Sequence, residues 1–512
     1  MRFARRLALA VVLAIVMVHL TVDTALSRRL LAQAPAPHTH LVIVVDGLRP
    51  DYVTEDVMPR LYRLSRRGIV FTAHHSVFPT VTRVNASSFV TGAYPETHGL
   101  LGNTIYIPSV STTRVLDTGE RENLEAVERA DGQLLTAPTL GEILQRAGRK
   151  LLGVSSGSTG SAYLLNHTVS GGALLHTDYT KPLELAPRVL AALGPPPAHA
   201  TPNDPQNQRA IDAYLKIGVD DLRPDVTLMW LNDPDGTAHA NGIGAPLTKR
   251  SLSLVDAGIG RIEDALLMRG RLESTNIIVT SDHGFSTETS EFNLPALVAP
   301  FAATLDDGSK DIVVAEGAVY LRSAAAKARL TDIVDVLKRR PEVGAIFTRP
   351  RQAGQPEGVV AGTLSFDVAR WNHARSGDIL VSANWSDKAN DFGFKGTTTQ
   401  DGVAGHGTSS PYDIHNTLIA AGPDFRENTA SDAPTSNVDI APTLLRLLGI
   451  PPPPTMTGRV IEEGLRGGET VRLLRTDGGI VLGADRSGYA LSAHYSNVNS
   501  ARYLDYTEVK RR

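Results

Sequence analysis

The sequence predicts an α/β fold: a mostly parallel central sheet with helices on both faces, carrying insertions. Three observations lead there. The run "LVIVVDG" (Leu41 to Gly47) is five consecutive apolar residues, mostly β-branched, followed by an acid and a glycine. A continuous run, unlike an alternating one, suits a strand covered on both faces. The same design recurs in "VTLMWLNDPDG" (Val226 to Gly236), "NIIVTSDHG" (Asn276 to Gly284) and "NTLIAAGPD" (Asn416 to Asp424), and more weakly in "KLLGVSS" and "GDILVSAN". Between the runs lie helical patterns such as "MPRLYRLSRRG", "LTAPTLGEILQRAG" and "LTKRSLSLVDAGIGRIEDALLMRG". Strands that alternate with helices argue a parallel sheet.

Taken in order, the chain opens on a basic stretch, "MRFARR", and a 12-residue apolar core from Leu7 to Val18. A membrane span needs about 20 apolar residues. The core therefore reads as a secretory signal peptide over residues 1–34, with an uncleaved anchor as the alternative. Either reading places the remainder in the periplasm or outside the cell. Removing residues 1–34 takes away five Arg and one Asp and moves the formal charge from −3 to −7. A catalytic domain is expected over residues 38–465, with "IPPPPTMTG" (Ile450 to Gly458) near its close. "GPPPAHATPNDPQNQ" (Gly194 to Gln208) reads as a surface loop by its Pro and Asn content. Residues 466–512 hold short β-like runs and read as a small C-terminal β-rich extension. Ser109 to Glu128 and Thr287 to Gly362 read as insertions that shape a pocket. No integral membrane span is expected after signal cleavage.

Composition excludes several classes. The chain is 42% hydrophobic and 21% charged, which permits an ordinary globular core. Its formal charge of −3 is too mild and mixed for an electrostatic nucleic-acid surface. It has no cysteine, so thiol nucleophiles, thiolate zinc sites and iron–sulfur clusters are excluded. An exported chain without disulfides relies on its core or on bound metal.

In sheets of this class ligands gather beyond the carboxyl ends of the strands. Candidate residues there are Asp46, the pair Asp235 and His239 four apart, the neighbours Asp282 and His283, and His406 in "GVAGHGTSS". Each alone is ordinary: a helix cap, a surface pair, an exposed turn, a solvent-facing histidine. Together, carboxylates and imidazoles in this pattern suit divalent ions. Six ligands exceed what one tetrahedral zinc with an open position takes, and they fit two ions. Two cations beside a hydroxyl are what phosphoryl transfer needs. The stretch "VFPTVTRVNASSFVTG" (Val77 to Gly92) offers hydroxyls at Thr80, Thr82, Ser87, Ser88 and Thr91. The stretch alone does not say which one attacks.

The segments "VVDGLRPDYV", "FPTVTRVNASSFVTGAYPETHGLLGN", "NDPDGTAHANG", "VTSDHG" and "GHG" occur in a known family's order. From roughly His40 to Pro453 the chain resembles the type I phosphodiesterase/nucleotide pyrophosphatase branch of the alkaline phosphatase superfamily. The resemblance implies an alkaline phosphatase-like catalytic fold and an exported two-metal hydrolase of phosphate esters or nucleotides, a phosphodiesterase. It implies two divalent metal ions, with Zn2+ favoured: one on Asp46, Thr82, Asp282 and His283, the other on Asp235, His239 and His406. Thr82 takes the nucleophile's place and forms a phospho-threonine, and Asn85 that of the amide holding a phosphoryl oxygen. The family pattern has an aromatic residue after the nucleophile, where Arg83 stands here. A guanidinium there can bind a phosphate oxygen, stack on a base or face solvent. A phosphomonoesterase with Arg83 clamping the phosphate is therefore the alternative. A sulfatase would need Cys or Ser opening C/S-x-P-x-R, which is absent. A non-catalytic relative would have lost a ligand or the nucleophile, and every one of those positions is filled. His98, His74, His75 and His415 are expected to pack rather than react.

Overall fold

The first strand, β1 (Thr39–Val45), sends Leu41, Ile43 and Val45 into one apolar core and Val42 and Val44 into another. Both of its faces are covered, which is why its sequence is an apolar run rather than an alternation. The computed structural model describes residues 38–169, 171–468, 476–483 and 488–512. The expected signal segment, residues 1–34, lies outside the described residues. The chain from Thr39 to Arg512 forms one compact unit.

The remaining strands of the central sheet are β2 (Ile69–Phe71), β3 (Leu151–Ser155), β4 (Ala173–His176), β5 (Thr180–Lys181), β6 (Val226–Leu231), β7 (Thr275–Thr280), β8 (Leu418–Ala421) and β9 (Thr429–Ser431). They lie in the order β9-β2-β8-β7-β1-β6-β3-β4-β5, with β1 at the centre. The inner strands β7, β1, β6, β3 and β4 are all parallel. The run "NTLIAAGPD" forms β8, which runs antiparallel to both β7 and β2. An apolar run marks a buried strand but carries no direction. "GDILVSAN" supplies Ile379–Ala383 to a separate five-stranded sheet, with Ile312–Ala315, Ala318–Leu321, Val343–Thr348 and Leu364–Ser365.

Helices cover both faces. On one side lies α2 (Thr82–Thr91), whose Ala86, Phe89 and Val90 share a core with Val42, Val44 and Trp230. On the other lie α1 (Pro59–Arg67) and α4 (Pro246–Met268), joined by the short α3 (Asp235–Asn241) that precedes α4. Leu61 and Leu64 of α1 meet Leu252, Val255, Ile259 and Ile262 of α4 in the second core. The amides of Arg60 and Leu61 donate to Asp256 of α4 at 3.0 and 2.8 Å. The loop expected over Gly194 to Gln208 ends early, because a helix begins at Asp204. Pro205 sits in its first turn, where a missing N–H costs nothing.

The C-terminal segment forms an antiparallel sheet of β10 (Thr476–Gly483), β11 (Tyr489–Val498) and β12 (Ala501–Arg511). Tyr489, Leu491, Ala493 and Tyr495 of β11 pack into the core that holds α2. Thr507 of β12 meets the loop after His406: its amide donates to the Ser409 carbonyl at 3.1 Å, and its hydroxyl lies 2.6 Å from that of Ser409. Among the described residues no helix is long and apolar enough to cross a membrane.

Candidate active site

Neighbouring strands deliver the acids. Asp46 follows β1, Asp235 opens α3 just beyond β6, and Asp282 and His283 follow β7. The chain ends there are stitched together: the Asp46 amide donates to the Leu231 carbonyl at 3.0 Å, and the Asp235 amide to the Asp46 carbonyl at 3.1 Å. Gly47 has φ +72°, and a Cβ on it would meet the Phe285 ring at 3.0 Å and the Asp235 Cβ at 3.3 Å. Glycine both turns the chain and admits Asp235 here.

The side chains converge. His283 Nε2 lies 3.0 Å from Asp282 Oδ2 and 3.5 Å from Asp46 Oδ1. Asp235 Oδ1 lies 3.3 Å from Nε2 of both His239 and His406. The rings of His283 and His406 stack with centroids 3.4 Å apart. Among the described residues two groups have ligand atoms within 4.8 Å of one another: Asp235, His239 and His406, and Asp46, Asp235 and His283. Asp235 belongs to both.

Each of these imidazoles donates its Nδ1–H to a backbone carbonyl: His239 to Ala404 at 2.8 Å, His406 to Thr80 at 2.8 Å, His283 to Gly284 at 2.9 Å. Nε2 is thus the inward atom of every ring, open to a proton or a metal ion. Asp46 Oδ1, Asp235 Oδ1 and Asp282 Oδ2 are buried and receive no hydrogen bond from the described residues. Their partner oxygens are held from behind, Asp46 Oδ2 by the Trp230 indole at 2.8 Å and Asp282 Oδ1 by the Gly47 amide at 3.1 Å. Orphaned buried carboxylate oxygens are costly unless a cation meets them. Burial, then Asp282 and Asp235, hold the Asp46 carboxyl well above its ordinary range. Burial also raises Asp235, but His239 and His406 outweigh it and hold that carboxyl well below. Burial lowers His239, yet Asp235 pushes its imidazole up to about 9. Oxygen and imidazole donors in this arrangement fit zinc-like divalent ions.

Local bonding separates the hydroxyls. Ser87 and Thr91 donate one turn back, to the carbonyls of Arg83 at 2.9 Å and Ser87 at 2.7 Å. Ser88 pairs with His98 at 3.1 Å. Thr80 donates to the Thr408 carbonyl at 2.7 Å and accepts from the Gly407 amide at 3.0 Å, which ties its loop to that of His406. Thr82 has no backbone partner among the described residues. Its Oγ1 lies 3.4 Å from His283 Nε2, and it opens α2. A helix N-terminus favours negative charge on that oxygen or on a group bonded to it.

The structure gives Asn85 a different place from the one the resemblance implies. Its Oδ1 accepts from the Val77 amide at 2.8 Å and from Asn437 Nδ2 at 2.9 Å, and its Nδ2 donates to the carbonyls of Val77 and Val81, both at 3.1 Å. Fully buried, it shapes the turn into Thr82 and presents no atom to a substrate. Asn437, which no motif signalled, also donates to the Asp282 carbonyl at 2.8 Å, while its Oδ1 lies 2.9 Å from His74 Nε2. The amide at the rim is Asn103: its Oδ1 accepts from the Arg83 amide at 3.1 Å. It ends the long motif at "GLLGN", the one signal that could have found it. Arg83 is the only α2 residue not buried, and its guanidinium lies 3.5 Å from Asp117.

Residues 40–393 match the family described as "Type I phosphodiesterase / nucleotide pyrophosphatase". The chain belongs to that family. Human ectonucleotide pyrophosphatase/phosphodiesterase family member 1 is 26% identical over 249 residues, covering 48% of this chain and 23% of the relative. Human bis(5'-adenosyl)-triphosphatase ENPP4 is 27% identical over 259 residues, covering 49% of this chain and 48% of the relative. The chain thus spans less than half the length of either relative. An inactive variant of murine ectonucleotide pyrophosphatase/phosphodiesterase 5 in complex with AMP shares the fold, at TM-score 0.58 and 19% identity, over 84% of this chain and 100% of that one. The α/β architecture expected for a type I phosphodiesterase is therefore the one this chain adopts.

Proposed function

We propose that the protein is an exported, metal-dependent hydrolase of phosphate esters, a phosphodiesterase or nucleotide pyrophosphatase that works through a phospho-threonine at Thr82. One observation carries this reading: three buried carboxylate oxygens without hydrogen-bond donors face the tethered imidazoles beside the only hydroxyl of its stretch left unspent. Two divalent ions, with Zn2+ favoured, would be held by Asp46, Thr82, Asp282 and His283 and by Asp235, His239 and His406, and would neutralise phosphoryl charge and acidify the Thr82 hydroxyl. Thr82 Oγ1 forms a bond to phosphorus as the bond to the leaving oxygen breaks. Water then attacks the phospho-threonine and restores Thr82. The Nδ2 of Asn103 donates to a phosphoryl oxygen, and the N-terminal end of α2 favours the negative charge there.

The family's relatives and the AMP-bound neighbour support a nucleotide or related diester as substrate. The pairing of Arg83 with Asp117 argues against Arg83 as a clamp for a terminal phosphate, so the diester reading stands over the monoester one. The N-terminal apolar core supports export. The test is Thr82→Ala on bis(p-nitrophenyl) phosphate, with mass spectrometry of acid-quenched wild type. Turnover should vanish in the variant, and a phosphoryl adduct should map to Thr82. A fully active variant defeats the proposal.

A further inference from the structure

Ile312–Ala315 and Ala318–Leu321 pair as an antiparallel hairpin with Ala315 opposite Ala318, so Glu316 and Gly317 are its whole turn. Glu316 takes φ +55°. Hairpin turns with a positive φ at the first position favour glycine there, because a side chain strains that conformation. This chain instead puts glutamate first and glycine second. Such strain persists at sites where the surrounding structure makes use of it. Here the use is a contact. Glu316 Oε2 accepts from the amides of Asn103 at 2.6 Å and Thr104 at 3.4 Å. Gly102 leaves room for it, since a Cβ there would fall 2.8 Å from the same oxygen.

Asn103 leads directly to the nucleophile, because its Oδ1 accepts from the Arg83 amide at 3.1 Å. The Arg83 side chain turns to Asp117 at 3.5 Å. Gly119 forms the cradle for that pair: its amide donates to Asp117 Oδ1 at 2.7 Å, and a Cβ on it would lie 3.1 Å from Arg83 Nη2. Arg83 Nε is buried and makes no hydrogen bond among the described residues. Glu316 itself is exposed and is held over the Asn103 and Thr104 amides. The three charged groups come from three segments: α2, the short strand Leu116–Asp117 and the inserted hairpin.

We propose that Asp117 and Glu316 form a charge gate around Arg83 that admits singly charged phosphodiesters and turns away doubly charged phosphate monoesters. The gate rests on the reading of Thr82 as a phosphoester hydrolase's nucleophile. Two carboxylates against one guanidinium leave a net negative charge on the residues that adjoin Thr82 through Arg83 and Asn103. A monoester carries about two charges near neutral pH, whereas a diester carries one, so the monoester meets the larger repulsion. The inserted hairpin thereby acquires a role in choosing the substrate.

The test compares kcat/KM on p-nitrophenyl phosphate and bis(p-nitrophenyl) phosphate for the holoenzyme and for Asp117→Asn, Glu316→Gln and the double variant. Glutamine keeps an acceptor for the Asn103 amide and removes only charge. The monoester-to-diester ratio should rise roughly fivefold per neutralised carboxylate at low salt, and the gain should shrink as salt screens it. Inorganic phosphate, also doubly charged, should inhibit the double variant at lower concentration. An unchanged ratio with unchanged phosphate inhibition would overturn the gate while leaving the hydrolase reading intact. If the wild type cleaves neither ester, the hydrolase reading fails instead. Phosphate calorimetry on Glu316→Gly, which also relieves the turn, then decides the gate: tighter binding supports it and unchanged binding removes it.

Discussion

Asn437→Asp preserves the shape of a side chain that holds the underside of the site, and it removes both donors. Asn437 Nδ2 bridges the Asp282 carbonyl at 2.8 Å and Asn85 Oδ1 at 2.9 Å, and Asn85 in turn holds the Val81 carbonyl, one residue before Thr82. The acid leaves an oxygen facing each of these buried acceptors. Stranding a buried polar group costs about 1–3 kcal/mol. Asn85 Oδ1 keeps its bond from the Val77 amide, so the loss falls mainly on the Asp282 carbonyl. Stability should drop by roughly 1–3 kcal/mol, read from the urea midpoint. The functional effect comes through distance: slack of about 1 Å at a nucleophile costs on the order of a hundredfold in rate. We therefore expect kcat to fall by about that factor with KM little changed, since the amides and side chains that face the substrate lie elsewhere. Rescue sharpens the assay. His74→Phe frees the Asn437 amide to flip and should lower kcat, and His74→Gln, which restores a donor near Nε2, should recover it. An Asn437→Asp enzyme with wild-type stability and turnover would refute the bridge.

Thr82→Ala should cost at least about a thousandfold in turnover, with Thr82→Ser retaining part of it, as measured on a chromogenic diester; equal activity in both variants would remove Thr82 from the chemistry. In the metal-free protein His239 holds its proton up to about 9, and a cation must displace that proton. Zn2+ affinity should therefore rise roughly tenfold per pH unit below that value and level off above it. Competition with a chelator measures this, and a flat profile would take His239 out of the ligand set. Gly47→Ala forces a side chain into φ +72° and against the Phe285 ring at 3.0 Å. It should cost roughly 2–4 kcal/mol in chemical denaturation, and an unshifted midpoint would deny the close approach.

Asp46, Asp282 and His283 were legible because each follows a run of apolar residues whose only stable setting is a strand buried on both faces. Where such strands end, polar side chains have one place to go. Direction was not legible: β8 has the same apolar character as β7, yet runs the other way, since nothing in a run of Leu, Ile and Ala encodes polarity. The amides failed for another reason. Asn85 stands at a plausible offset from Thr82, and only the fold shows that a buried side-chain donor and three backbone groups already claim it. Asn437 came without signal because its partners, His74, Asn85 and Asp282, meet it only after the sheet has formed. Asn103 ends the motif at "GLLGN", but its proximity to Thr82 depends on how the chain returns after α2. Glu316 lay in a segment read only as an insertion, and its part depends on a turn conformation that composition argues against.

The contact between β12 and the His406 loop has a practical side. Thr507 grips Ser409, three residues beyond His406, and the same Thr507 carbonyl receives the Trp385 indole at 2.6 Å. The last strand therefore buttresses a loop that carries a metal-ligand candidate, although it contributes no candidate itself. Removing β12, or crowding Arg512 with a fused reporter, would disturb the loop that carries His406. Losses seen in such derivatives would mimic damage to a ligand, and metal content would be the readout that tells the two apart.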